Sequence, residues 1–256
     1  MKSSVIKILQ KLDALDGAAW AVPLFIVSTA AATAAGLWIG EPYLLPILQA
    51  LAAWPFFVAS CANGKIVRAA ARILIFALVA GAIVSYFVAQ SEPNGYNSTI
   101  FDGEKYRGEM FVFVRSGGVA GEEAHPSQFL PMHALHCGMF MILCAATAGF
   151  AALVLGAYLL NYMSYYVGAL LYEATRTGSV WTTLASAWSP YAIVRVIAYA
   201  VLGAGITVFL YGPPQAKRRA LAAIFTGIGL AVVDVLLKSL IAGHYGQTLL
   251  HATGLK

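Results

Sequence analysis

The stretch AHPSQFLPMHALHCGMFMILCAATAGFAALVLGAYLLNYMSYYVGALLY, residues 124–172, decides the fold of this protein. Its 49 residues lie between Glu123 and Glu173 and include no Lys, Arg, Asp or Glu. An uncharged, mostly apolar run of this length is not expected to be a solvated loop, and a membrane helix needs about 20 apolar residues. The stretch is therefore predicted to lie in a membrane, and it is long enough for two crossings.

The composition of the whole chain indicates the same class. Hydrophobic residues make up 60% and charged residues 11%, with a mean hydropathy of +0.76, whereas a soluble domain carries roughly 25% charged residues. The net charge of +5 comes from Lys and Arg in short loops, which is a topology signal and no indication of nucleic-acid binding. We predict an all-α polytopic integral membrane protein whose partners are the lipid bilayer and other membrane subunits.

The first third of the chain contains three predicted spans. Residues 1–16 are predicted to form an amphipathic interfacial helix, because their apolar residues fall at helical spacing. Residues 17–89 hold spans at about 17–39, 43–62 and 73–89. The loop 63–72 between the second and third spans carries three positive charges and no negative one.

Residues 90–131 form the single long hydrophilic segment, predicted to be an extracytoplasmic loop. It contains six acidic and three basic residues. The run Met110–Val114 is β-like and is followed by the turn signal Ser116-Gly117-Gly118, a pattern compatible with a small β-hairpin on the membrane surface.

Charge placement favours seven spans over six. Under the positive-inside rule the basic N-terminus, the loop 63–72 and the run Lys217-Arg218-Arg219 belong in the cytoplasm, and this requires an odd number of crossings between the loop 90–131 and Lys217. The decisive stretch would then cross twice, at about 132–152 and 155–172, followed by spans at 190–211 and 220–242. The turn between the two crossings would use Gly149 or Gly156, which are weak turn signals, and one long helix is the alternative. We expect a bacterial inner-membrane location, a cytoplasmic N-terminus and a C-terminal tail at 243–256.

Three charged residues fall inside the last two predicted spans: Arg195, Asp234 and Lys238. Ionisable groups in a membrane are energetically costly and tend to face the bundle interior or one another. Arg195 and Asp234 lie at similar depths, and Asp234 and Lys238 stand four residues apart on one helix face. They are candidates either for a structural ion-pair cluster or for a proton or ion relay.

Five histidines form the second set of candidate residues. His133 and His136 share one face of a helix start, and His125 lies just upstream, while His244 and His251 belong to the tail. With seven spans all five would lie on the outer side. Imidazole is a common ligand of zinc, copper and iron, so they are candidates for a metal or haem site, with polar interfacial anchors as the alternative interpretation.

The sequence contains no complete catalytic motif, which favours a non-enzymatic role. Three hypotheses follow. The first is a non-catalytic transmembrane subunit of a larger envelope assembly of the secretion, conjugation or respiratory type. The second is a small transporter or channel that uses Arg195, Asp234 and Lys238. The third is a metal- or haem-binding redox subunit that uses the histidines.

Overall fold

The computed structural model describes residues 19–91 and 93–255, and the predicted interfacial helix at 1–16 lies outside these residues. The described part of the chain is folded into nine α-helices joined by short connections. In chain order they are α1 (Ala21–Ile39), α2 (Leu44–Ala62), α3 (Ile66–Gln90), α4 (Gly103–Arg115), α5 (Pro126–Thr147), α6 (Phe150–Thr177), α7 (Val180–Ser186), α8 (Pro190–Tyr211) and α9 (Lys217–Thr253).

Seven of these helices, all except α4 and α7, are long and apolar enough to cross a membrane. The prediction of an all-α polytopic membrane protein is confirmed, as is the preference for seven spans over six. The decisive stretch folds into two antiparallel helices, α5 and α6.

The turn between α5 and α6 consists of Ala148 and Gly149, both with left-handed backbone conformations (φ 48° and 87°). A Cβ atom on Gly149 would lie 2.5 Å from the ring of Phe57, so both conformation and space require glycine there. The last carbonyl groups of α5 accept hydrogen bonds from neighbouring helices: Trp54 Nε1 donates to Ala148 O (3.1 Å) and the Tyr211 hydroxyl donates to Ala145 O (2.6 Å). Side chains from α2 and α8 thus stabilise a turn with little sequence signal of its own.

The β-hairpin prediction for residues 110–114 is wrong, because this run forms the C-terminal half of helix α4. Met110, Phe113 and Val114 recur at helical spacing and are buried against α6 and α9, whereas Val112 is exposed. Burial of this helical stripe outweighs the β-propensity of the individual residues. No strand occurs in residues 19–91 and 93–255.

A buried amide pair connects helices in the middle of the bundle. Gln49 of α2 and Asn161 of α6 donate to each other's side-chain oxygens (3.0 and 2.8 Å), and Gln49 Nε2 also lies 3.3 Å from the Thr33 hydroxyl of α1. Reciprocal bonding leaves neither amide unsatisfied in an apolar environment. The pair fixes the rotation of α2 and α6 about their axes.

The bundle has two different ends. The basic end contains residues 63–65, the turn Ala148–Gly149 and residues 212–216, which pack together where Gly64 meets Pro213 and Ala216. The large-loop end contains residues 93–125, helix α7 and the C-terminus of α9. There, Thr177 and Thr183 donate hydrogen bonds to the last carbonyls of α9. The C-terminus of α9 therefore lies at the same end as residues 93–125.

Candidate functional site

Two buried ion pairs lie in the half of the bundle nearest the large-loop end. The first joins Arg195 of α8 to Asp234 of α9 in a bidentate arrangement, with Nε to Oδ2 at 2.8 Å and Nη2 to Oδ1 at 3.2 Å. The Asp234 side chain is almost fully buried and that of Arg195 is 18% exposed. A fork-to-carboxylate geometry is the strongest form of such a pair. The structure thus places together the two charges that the sequence placed at similar depths.

The second pair joins Lys238 of α9 to Glu123, with Nζ 2.6 Å from Oε2. Lys238 has no exposed surface, and its ammonium group lies 4.0 Å from the ring centroid of Phe129. This pairing differs from the one with Asp234 that the four-residue spacing suggested. Glu123 belongs to the short 3₁₀ turn Glu122–Ala124, so the ion pair holds the extramembrane segment onto the last span.

A cavity of about 280 Å³ lies beside these ion pairs at the large-loop end. Helix α4 and the 3₁₀ turn Glu122–Ala124 form one side, and α5, α6 and α8 form the others. Arg195 and Glu123, one member of each ion pair, belong to its wall. The cavity and the ion pairs are therefore one site.

Tyrosine rings form much of the cavity wall. Tyr106 of α4 packs on Tyr162 of α6 with ring centroids 4.7 Å apart, and Tyr158 packs edge-on to Tyr162 at 5.5 Å. The Tyr158 hydroxyl donates to Asp102 Oδ2 at 2.5 Å. Tyr199, deeper along α8, stacks on Phe140 at 4.8 Å with an interplanar angle of 17°. Aromatic faces thus run from the mouth of the cavity to its floor.

The charged groups around the cavity are mainly acidic. Four carboxylates line it, namely Asp102, Glu109, Glu122 and Glu123, against two basic groups, Lys105 and Arg195. Because Arg195 is bound by Asp234 and Glu123 by Lys238, the cavity keeps Asp102, Glu109 and Glu122 against Lys105, whose ammonium group lies 4.0 Å from Glu109. The resulting potential attracts positive charge.

His133 adds a further hydrogen-bond acceptor to this wall. Its Nδ1 lies 2.8 Å from the carbonyl oxygen of Phe129. A carbonyl can only accept, so Nδ1 carries the proton, and in the neutral ring Nε2 then holds the lone pair. Nε2 is buried and has no hydrogen-bond partner among the described residues.

Two extramembrane groups at the cavity have shifted pKa values. Burial raises the pKa of Tyr106 well above its usual value, so its hydroxyl is neutral and able to donate. Burial raises the pKa of Glu109, and the negative charge of Glu122 raises it further, while Lys105 acts in the opposite direction. A cation that enters the cavity favours the charged form of Glu109 and so lowers this raised pKa.

The histidines do not converge. His133 and His136 both line the cavity, whereas His125, His244 and His251 are exposed elsewhere at the same end. Among residues 19–91 and 93–255, no group of three His, Cys, Asp or Glu side chains could hold a metal ion. The metal or haem hypothesis stays a prediction to which this geometry adds no support.

Several site residues had no distinct signal in the sequence. Glu123 is far from Lys238 along the chain, and only its position at the edge of the decisive stretch sets it apart. Tyr158 and Tyr162 of the decisive stretch also line the cavity. Fold and site together define a seven-helix membrane protein with an acidic, tyrosine-lined cavity. No protein-family model, curated protein or solved structure matches this chain.

Proposed function

We propose that this protein is a small membrane transporter for organic cations that carry an ammonium group. The observation that carries the proposal is the cavity of about 280 Å³, whose wall combines carboxylates with tyrosine faces. It corresponds to the transporter hypothesis, with Arg195, Asp234 and Lys238 in supporting roles.

The chemistry of the wall supports a cationic ligand. The faces of aromatic rings attract ammonium groups, by about 0.5–2 kcal/mol per ring. The carboxylates of Glu109 and Glu122 supply opposite charge, and His133 lines the same cavity. An anion would be repelled by Asp102, Glu109 and Glu122, the three cavity carboxylates that belong to neither buried ion pair.

In this proposal the buried ion pairs neutralise the basic residues nearest the ligand. Arg195 is part of the cavity wall, and an unpaired guanidinium there would repel a cation. Asp234 removes that repulsion through its bidentate pair (2.8 and 3.2 Å). Lys238 holds Glu123 at the wall, so the position of the turn Glu122–Ala124 depends on it.

Access from one end supports a transporter. The cavity lies at the large-loop end, and beyond Tyr199 the bundle is closed by an apolar cluster that includes Phe140, Cys144 and Leu202. Passage across the membrane would require this cluster to open while the loop end closes. With the basic end in the cytoplasm, as the charge rule predicts, the cavity faces the extracytoplasmic side of a bacterial inner membrane.

Uptake of radiolabelled choline into proteoliposomes with a negative interior potential tests the proposal. We expect saturable uptake by the natural protein and a roughly tenfold higher KM for Glu122→Gln, because one charge facing the ligand is worth about 1.4 kcal/mol. Glu41→Gln is the matched control: Glu41 is an exposed carboxylate at the same end that does not line the cavity. Uptake no greater than in empty liposomes, or equal effects of the two substitutions, would contradict the proposal.

The role of subunit in an envelope assembly stays a second proposal. Helix α7 supports it by presenting Trp181, 79% exposed, together with Val180 and Leu184 at the large-loop end. Exposed aromatic residues there suit either the headgroup region or a docking partner. Under this alternative, Asp234→Asn lowers stability or assembly and the protein in mild detergent co-purifies with a defined stoichiometric partner.

A further inference from the structure

A second, larger cavity lies on the lipid-facing side of the bundle, between α3, α6, α7 and α8. It is a groove of about 710 Å³ with an almost entirely apolar lining. Along α3 it extends from Leu74 to Gln90, which is roughly 24 Å at 1.5 Å per residue. Leu78 and Ile193 at its edges are exposed, so the groove opens toward the membrane.

The groove and the acidic cavity each share lining residues with one small chamber. This chamber of about 20 Å³ lies between them. It shares Trp188 and Val167 with the groove, and Tyr106, Glu123 and Arg195 with the acidic cavity. A rotation of Trp188 would therefore join the apolar groove to the chamber.

The chamber is polar on the side that faces the ion pairs. Tyr166, only 3% exposed, lines the chamber, and its hydroxyl has no hydrogen-bond partner among the described residues. A void of this size holds about one water-sized group. An unpartnered buried hydroxyl favours a polar occupant there.

A second void adjoins the same two cavities deeper in the bundle. It has a volume of about 60 Å³ and an apolar lining. It shares Leu160, Ala77 and Val196 with the groove and Tyr199 with the acidic cavity. The two cavities thus adjoin at two levels, and a molecule with a polar and an apolar part could occupy both.

We propose that the substrates are amphipathic cations whose ammonium group binds in the acidic cavity while the hydrocarbon tail occupies the groove. This inference rests on the proposed function and specifies its substrate class. The two voids that adjoin both cavities favour one amphipathic molecule over separate occupants. Burial of a tail in the apolar groove adds affinity roughly in proportion to its length. A molecule whose tail enters the groove from the membrane would bring its ammonium group to the acidic cavity.

The test compares tetramethylammonium with octyltrimethylammonium. Both carry a quaternary ammonium group, and the second has an octyl chain in place of one methyl group. Binding is measured by titration calorimetry on the full chain in lipid nanodiscs, with empty nanodiscs as the reference for partitioning. Ala82→Trp fills the groove, because Ala82 lines it and is exposed toward the membrane. Ala31→Trp is the matched control, an exposed alanine of α1 away from the groove.

We expect octyltrimethylammonium to bind at least about tenfold tighter than tetramethylammonium. Ala82→Trp should reduce that ratio to near one, while Ala31→Trp should leave it unchanged. An unchanged ratio in Ala82→Trp overturns the inference and assigns the groove to membrane lipid. In that case Glu122→Gln still weakens both probes, so the proposed function stands. If neither probe binds, or if Glu122→Gln changes neither affinity, the proposed function itself fails, and the inference fails with it.

Discussion

Lys238 Nζ lies 2.6 Å from Oε2 of Glu123, which ties the last membrane span to the segment between α3 and α5. Desolvation of two charges outweighs much of their mutual attraction, so a buried pair adds little net stability compared with apolar residues. Loss of one partner is different, because it leaves an isolated charge in an apolar environment. The pair is thus better suited to hold the 3₁₀ turn Glu122–Ala124 in one position than to stabilise the fold.

Substitution of one member of this pair should therefore destabilise the protein more than substitution of both. We expect Lys238→Met to lower the free energy of unfolding by about 3 kcal/mol, and the double variant Lys238→Met/Glu123→Gln to recover most of that loss. Chemical unfolding in a mild detergent measures both. Additive effects of the two single substitutions would show that the residues are not coupled.

Asp234→Asn should weaken cation binding in addition to its effect on stability. Without its carboxylate partner, the guanidinium of Arg195 places an uncompensated positive charge in the cavity wall. We expect choline affinity to fall about tenfold, and the double variant Arg195→Met/Asp234→Asn, which removes both charges, to recover it. Calorimetric titration on variants that remain folded checks this. A double variant as weak as Asp234→Asn would indicate that the pair acts through structure alone.

Choline affinity should fall as the pH is lowered through the raised pKa of Glu109. Burial and the neighbouring Glu122 raise that pKa, so the loss of negative charge begins at higher pH than for an ordinary glutamate. Because the folded-state pKa is raised, protonation of Glu109 favours the folded protein, and unfolding through this group does not explain the fall. Binding titrations across this pH range should show the fall in the natural protein and its absence in Glu109→Gln.

Two small substitutions in the turn between α5 and α6 should change the stability of the protein in opposite directions. Gly149→Ala combines a positive φ of 87° with a contact of 2.5 Å to the Phe57 ring, and we expect a loss of at least 2 kcal/mol, on the order of the strain for such positions. Ala148→Gly removes the strain of an alanine in the left-handed conformation (φ 48°), and we expect the free energy of unfolding to rise by between zero and about 1 kcal/mol. Thermal unfolding of both variants provides the comparison.

The membrane fold was predictable because it depends on local composition and on the placement of charges. The uncharged residues 124–172 required two crossings once Lys217, Arg218 and Arg219 were assigned to the same side as the loop 63–72. Helix α4 was missed because residues 110–114 are all apolar and therefore fit a strand as well as a helix. Only the burial of Met110 and Phe113 against α6 and α9 decides between the two.

The cavity was less predictable than the fold. Arg195 and Asp234 could be paired from their depths, because α8 and α9 are antiparallel neighbours. Glu123 and Tyr106 come from the segment 93–125, and the sequence carries no information on which helices that segment covers. Their contribution to the site depends on tertiary contacts such as the Lys238–Glu123 pair and the packing of Tyr106 on Tyr162.

The most direct measurement of the central claim compares choline with 3,3-dimethylbutan-1-ol, which has the same shape without the positive charge. Both are titrated against the full chain in lipid nanodiscs. If the acidic, tyrosine-lined cavity recognises cations, choline binds at least about tenfold tighter than the neutral alcohol, and Glu109→Gln/Glu122→Gln removes most of that difference. Equal affinity for the two molecules, or a preference for choline that survives the double substitution, would contradict the account.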